Sequence, residues 1–220
     1  LLAMEPPTNM FFESLHDEQV KVLRMIPPLD PGRVVRGQYR GYRDEAGVAP
    51  DSQVETFAAV SLEIDSWRWA GVPFLIRAGK CLPVTATEVL VKLKPTPVGN
   101  GEPGGNYFRF RIGPDLFMGL GATIKRPGAG MGSMPIELSA IDKAQSEELG
   151  AYERLLTDAM QGDEMLFVRE DAVEAAWSIV DPVLDNAAPL HVYERGSWGP
   201  PEAGSLAAGI GGWHNPQPAP

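Results

Sequence analysis

The 220 residues are 44% hydrophobic, enough for a sizeable core in one large domain or two small ones, and a single domain is the simpler expectation. With 19 Lys+Arg against 29 Asp+Glu the net charge is −10, so the summed field repels nucleic acid and anionic lipid, and a phosphate-bearing partner must be held by a local basic cluster, which favours a small ligand. Cys81 is the one cysteine, which excludes an internal disulfide framework and fits a reducing cytoplasm, and no apolar run approaches the ~20 residues of a membrane span. The chain opens on Leu1 with no basic n-region and h-region before it, so it is expected to be a piece of a longer protein, with a start at Met4 as the alternative.

In chain order, Ser14-Leu-His-Asp17 reads as a capping box opening a short helix, Glu18 to Met25, stopped by Pro27 and Pro28. Gly-Gln-Tyr39-Arg-Gly-Tyr42 reads as a strand entering a loop. Val54 to Asp65 and Val72 to Arg77 are rich in Val, Phe, Leu and Ile around a Trp-Arg-Trp-Ala-Gly turn, and predict two strands. In Thr87 to Lys94, Val89, Val91 and Leu93 alternate with Leu90, Lys92 and Lys94. After a Gly/Asn/Pro tip beginning at Gly99, Tyr107, Arg109 and Arg111 alternate with Phe108, Phe110 and Ile112, which completes a hairpin. Leu116 to Ile124 and Pro135 to Ile141 extend the meander across the loop that starts at Arg126.

The period then changes. Tyr152, Leu155, Leu156 and Ala159 share a helical face that stops at Gly162, and Asp171 to Leu184 carries Val173, Ala176, Trp177 and Val180 at helical spacing. Pro200-Pro201 begins a last short helix before a Gly/Pro-rich tail from Gly209 to Pro220. Strands followed by helices predict an α+β fold with one large, mostly antiparallel sheet and helices packed on one face. Val89, Val91 and Leu93, or else Phe108, Phe110 and Ile112, should face those helices, and alternation alone leaves the two faces interchangeable.

The motif search excludes several chemistries. Ala78-Gly-Lys80-Cys81 is not a phosphate-cradling P-loop, because Phe74 stands where its first glycine belongs and Cys81 where a hydroxyl must bind magnesium. Gly119-Leu-Gly121 continues to Ile124 instead of a third glycine, so no dinucleotide fingerprint is present. His16, His191 and His214 lack ligand spacing, and no Gly-x-Ser-x-Gly elbow occurs. The stretch from Arg33 to Arg43 interleaves arginines with Tyr39 and Tyr42 as RNA-binding segments do, but Asp44, Glu45, Asp51 and Glu55 follow closely.

Lys80 ends the apolar run Gly71-Val-Pro-Phe-Leu-Ile-Arg77-Ala-Gly-Lys80. A cation at a strand end followed by a Pro-bounded turn suits an anion such as a sugar phosphate, although Lys80 taken alone reads first as a snorkelling surface lysine. The order of the surrounding strings separates the two readings. Gly-Gln-Tyr-Arg-Gly-Tyr, then Thr56-Phe-Ala-Ala, Trp69-Ala-Gly through Lys80, Tyr152-Glu-Arg-Leu-Leu, Ala176-Trp-Ser-Ile-Val with Pro182, and Gly196-Ser-Trp-Gly-Pro together resemble the C-terminal domain of glucose-6-phosphate dehydrogenase. The resemblance runs from Leu1 to Pro216, with 217–220 left as a tail, and Gly-Gly-Trp213-His-Asn-Pro looks like the end of bacterial members.

The resemblance implies the substrate-contacting, dimer-forming half of a cytoplasmic enzyme that oxidises glucose 6-phosphate to the 6-phosphogluconolactone in the pentose phosphate pathway. In that family an N-terminal Rossmann domain holds NADP and a His-Tyr-Leu-Gly-Lys segment supplies the base; neither occurs here, so no catalytic residue is assigned and the chain alone is expected to be inactive. By resemblance Lys80 is the lysine that reaches the sugar phosphate, and Thr85 stands where a second cationic substrate ligand is usual. Some animal members bind a second, structural NADP in this domain. Arg77 and Arg111 match that pattern, but Ala86, Leu90, Gly121 and Trp198 replace its other cations, so no such site is expected. Two rival readings are a stand-alone module that pairs with full-length subunits through its sheet, and a sugar-phosphate binding module.

Overall fold

The structure, a computed structural model, describes residues 2–95, 105–126, 128, 133–142 and 150–218. The chain folds as two units, Leu1–Leu82 with Leu149–Ile210 and Pro83–Glu148 with Gly211–Pro220. The α+β class is observed, with the strands shared between two four-stranded sheets where one large sheet was expected. The sequence breaks the strand run at Cys81, whose φ of +53° leaves the extended region, and at Pro83, which has no N–H to offer a ladder.

In the first unit, α1 (Phe12–Arg24) precedes β1 (Val34–Tyr39), β2 (Phe57–Leu62) and β3 (Phe74–Gly79). The sheet order is β3-β2-β1-β8, where β8 is Leu190–Tyr193 and runs parallel to β1 while the other pairs are antiparallel. β8 is absent from the sequence reading. It is four residues long and pairs with a strand some 150 residues earlier, so no local pattern announces it.

The first helix starts at Phe12 and not at Glu18, so Ser14 and Asp17 lie inside it. Its entry is fixed one turn earlier, where Asn9 Oδ1 accepts a hydrogen bond from the Phe11 backbone N–H. The helices predicted from Tyr152 and Asp171 are α2 (Ala151–Gln161), which ends on Gly162 with φ +73°, and α3 (Glu170–Val180), followed by a 3₁₀ turn over Asp181–Val183. Ile179 and Val183 close a core with Leu29 and Val34, against which Leu23, Val60, Leu62 and Val180 pack, so α1 and α3 lie on one face of this sheet. Arg169 clamps the same helix pair by donating to Asp171 at 2.6 and 2.9 Å and to Asp17 at 2.8 Å.

In the second unit, β4 (Thr87–Lys92), β5 (Tyr107–Gly113), β6 (Leu116–Lys125) and β7 (Ser133–Asp142) form an antiparallel meander. The Gly99 tip falls mostly outside the described residues, as does most of the loop after Arg126. Register settles the alternative about faces. Val89 pairs with Phe110, which pairs with Met118, and Val91 shares a row with Phe108, Leu120 and Leu138, so both candidate triplets lie on the same face. That face is apolar across all four strands and largely exposed, with Ile112 and Leu138 more than 60% accessible. The opposite face carries Glu88, Tyr107, Arg109, Arg111 and Glu137. The expected helices belong to the first unit.

Candidate functional site

Lys80 follows the last residue of β3, and its backbone is tied on both sides. Its N–H donates to the Thr56 carbonyl at 2.8 Å, and its own carbonyl accepts from the Tyr193 hydroxyl at 2.7 Å. The Cys81 carbonyl then accepts from the Gly196 N–H at 2.7 Å. The main chain is thus pinned to β2, β8 and the turn after β8, while the Lys80 side chain stays exposed. Tyr193 is the hub of this arrangement. It is 3% exposed, and its hydroxyl lies 3.2 Å from the Thr56 carbonyl and 3.1 Å from Thr56 Oγ1, which in turn accepts from the Tyr39 N–H. Burial raises the hydroxyl's pKa, which keeps it a neutral donor.

Beside the strand end that carries Lys80, glycines from two separated strings converge on one ring. Gly37, Phe57 and Gly79 are register neighbours across β1, β2 and β3. Phe57 is 1% exposed. A Cβ on Gly79 would lie 2.8 Å from Phe57 Cδ2, and one on Gly199 2.2 Å from Cε2, so each glycine is required by the ring beside it. The co-occurrence of Ala-Gly-Lys and Trp-Gly-Pro therefore has a shared physical cause, the packing of the Phe57 ring against both glycines, while the glycine of Arg-Gly-Gln-Tyr is crowded by Pro200 Cγ at 3.0 Å, Tyr193 Cδ1 at 3.1 Å and Phe57 Cβ at 3.2 Å.

Arg77 lies two residues before Gly79, with its guanidinium 4.8 Å from the Trp198 ring centroid and its Nη1 3.5 Å from the Trp198 carbonyl. Burial lowers its pKa, which still leaves an arginine cationic at neutral pH. Arg111, in the second unit, is 4% exposed and donates to Glu88 at 2.8 Å and to the Gln217 carbonyl at 2.7 Å. A dinucleotide phosphate would have to displace these partners, and no binding step is assigned to either arginine. Thr85 is exposed in the segment leading into β4 and belongs to the second unit, whereas Lys80 belongs to the first.

The arginines that interleave with Tyr39 and Tyr42 are engaged by partners within the same unit. Arg33 pairs with Glu63 at 2.9 Å, and Arg40 with Glu194 at 2.6 Å. Arg43 donates to Gln38 and to the Ser52 carbonyl, each at 3.1 Å. Arg36, 6% exposed, donates to Glu55, Asn186 and the carbonyls of Gln53 and Ala188. This stretch holds the first sheet's rim together. Of the histidines, His16 is buried, His191 lies 3.2 Å from Glu202 and His214 contacts Glu88. Among the described residues no group of His, Cys, Asp and Glu is placed to hold a metal ion, and no helix is long and apolar enough to cross a membrane.

Sequence reasoning missed Tyr193 and Glu88. Tyr193 acts through a pairing with a distant strand, and Glu88 reads as one polar residue in an alternating strand, so neither leaves a local signal.

The family model for "Glucose-6-phosphate dehydrogenase, C-terminal domain" matches residues 1–214. Glucose-6-phosphate 1-dehydrogenase 1 of Mycobacterium tuberculosis is 44% identical over 98% of this chain and 47% of its own length. A crystal structure of glucose-6-phosphate 1-dehydrogenase from Mycobacterium avium superposes with a TM-score of 0.89 at 43% identity, covering 98% of this chain and 48% of that one. A glucose-6-phosphate dehydrogenase in complex with its substrate glucose 6-phosphate superposes with a TM-score of 0.82 at 30% identity, again over 98% of this chain and 48% of that one. The chain therefore spans about half the length of the relatives it matches. Across that span it belongs to the glucose-6-phosphate dehydrogenase C-terminal domain family.

Proposed function

We propose that this chain is the substrate-contacting and dimer-forming portion of a cytoplasmic NADP-dependent glucose-6-phosphate dehydrogenase, which oxidises glucose 6-phosphate to the 6-phosphogluconolactone. The observation that carries the reading is the anchoring of Lys80. An exposed ammonium at a strand end, with its backbone fixed by Thr56 and Tyr193, suits a point-charge contact to a sugar phosphate. Lys80 positions substrate and moves no proton. In this reading the hydride acceptor NADP and the base for the sugar's C1 hydroxyl come from the other half of the protein, and no step of the chemistry is assigned to residues here.

The exposed apolar face of the β4–β7 sheet supports the dimer assignment, because an apolar face this wide is where a second copy would pack. The same face favours the second reading, a non-catalytic module that pairs with full-length subunits. The test is NADPH formation from glucose 6-phosphate, by the 220-residue chain and by the complete polypeptide that contains it. Activity in the complete protein and none in the folded chain is the expected result; turnover by the chain alone overturns the division of labour. In the complete protein, Lys80→Ala should raise KM for glucose 6-phosphate by about 10- to 100-fold, the worth of one charge-assisted hydrogen bond, and an unchanged KM removes Lys80 from the site.

A further inference from the structure

The polar face of the second sheet buries a carboxylate whose counter-groups come partly from the C-terminal segment. The Glu88 side chain is 0% exposed. Its Oε2 lies 2.8 Å from Arg111 Nε and 3.8 Å from Arg109 Nη1, and its Oε1 contacts His214 Nε2. Arg111 uses its other arm to donate to the Gln217 carbonyl at 2.7 Å. Arg109 continues to Glu137, which also accepts the Tyr107 hydroxyl at 2.5 Å. The segment enters this unit through Gly211 and Gly212, whose φ values of +82° and +91° lie where glycine is favoured, and Trp213 and Asn215 are engaged in contacts as well.

We propose that Trp213–Gln217 is a strap that closes the polar face of the β4–β7 sheet and is required to hold Glu88 in its buried state. A buried carboxylate is tolerated only when paired and hydrogen-bonded. The strap supplies one partner directly, through His214, and orients a second, because the Gln217 carbonyl fixes the Arg111 guanidinium that meets Glu88. Release of the strap removes the His214 contact and the carbonyl that orients Arg111, and opens Glu88 to water on the polar face. Opening of this face is thus set by a segment more than 100 residues along the chain from Glu88 and Arg111, the residues it engages.

The test is amide hydrogen exchange on the 220-residue chain, on a chain ending at Gly212, and on a His214→Ala and Glu88→Gln double-mutant cycle in the full chain. Truncation should speed exchange in Thr87–Lys92 and Tyr107–Gly113 by about tenfold or more, the factor expected for loss of a charge-assisted hydrogen bond, and leave Phe57–Leu62 unchanged. The peptide Gly211–Pro220 added in trans should restore protection. Unchanged exchange after truncation overturns the proposal. If the truncated chain fails to fold, the cycle decides. His214→Ala should speed β4 and β5 exchange in the native background but not with Glu88→Gln, whereas equal acceleration in both backgrounds means His214 does not act through Glu88 and overturns it.

Discussion

Gly199→Ala tests the packing beneath Lys80 most directly. The new methyl carbon would lie 2.2 Å from Phe57 Cε2 and 2.5 Å from Cζ, against about 3.5–4.0 Å for a comfortable carbon–carbon separation. Phe57 has little room to swing aside, since it is 1% exposed and flanked in the sheet by Gly37 and Gly79. Overpacking of this kind costs about 1–3 kcal/mol, and holding alanine at the native φ of +99° costs a further 1–3, so the loss should be roughly 2–6 kcal/mol. Urea unfolding followed by tryptophan fluorescence reads the right unit, because Trp67, Trp69, Trp177 and Trp198 lie in it and only Trp213 in the other. The overlap and the backbone strain separate in a double variant. With Phe57→Leu the ring is gone, so Gly199→Ala should cost less by about 1–3 kcal/mol, leaving the strain alone. A loss below about 0.5 kcal/mol, or the same loss in both backgrounds, would refute the claim that glycines at these positions exist for the ring.

Tyr193→Phe should cost about 1–3 kcal/mol by leaving the Lys80 carbonyl without its hydroxyl partner, and should raise KM for glucose 6-phosphate in the complete protein with little change in kcat; a stability loss with no change in KM would detach Tyr193 from the site. Leu138→Arg, at one of the most exposed positions of the apolar face, should abolish self-association measured by sedimentation equilibrium, and an unchanged assembly state would place the dimer contact elsewhere. The Arg169 fork holds the Asp171 carboxyl below the ordinary aspartate range. Because that folded-state pKa is depressed, its contribution is present above the unfolded value of about 3.9 and is lost as pH falls through the depressed one. Acid titration of stability should therefore show a limb below about pH 4 that flattens in Asp171→Asn, and an identical limb in the variant would show that the clamp between α1 and α3 does not set acid stability.

What the sequence made legible follows the range of the interactions involved. β4 and β5 are hairpin neighbours whose alternation is local, and both appear close to where they were expected. Alternation divides each strand into two faces but carries no register, which is why Val89 and Phe110 could be assigned to opposite sides until their pairing put them on one. Lys80 was singled out for a different reason: it ends an apolar run, but only the order of the surrounding strings, and not the run itself, set a substrate contact above a surface lysine. Its support was not, because Tyr193 reaches it from a strand more than 100 residues away that has only four residues of its own. The same limit hid Glu88, whose burial depends on Arg111 from the next strand and His214 from the far end of the chain. The glycines at 79 and 199, from separated strings, share one cause because a single buried ring, Phe57, excludes a Cβ at both, whereas Gly37 is crowded by Pro200 and Tyr193 as well as by Phe57 Cβ. A substitution at any of these positions acts on the strand end that presents Lys80, so their effects on stability and on substrate affinity should rise together, and a variant that lowers one without the other would show that ring packing and lysine placement are independent.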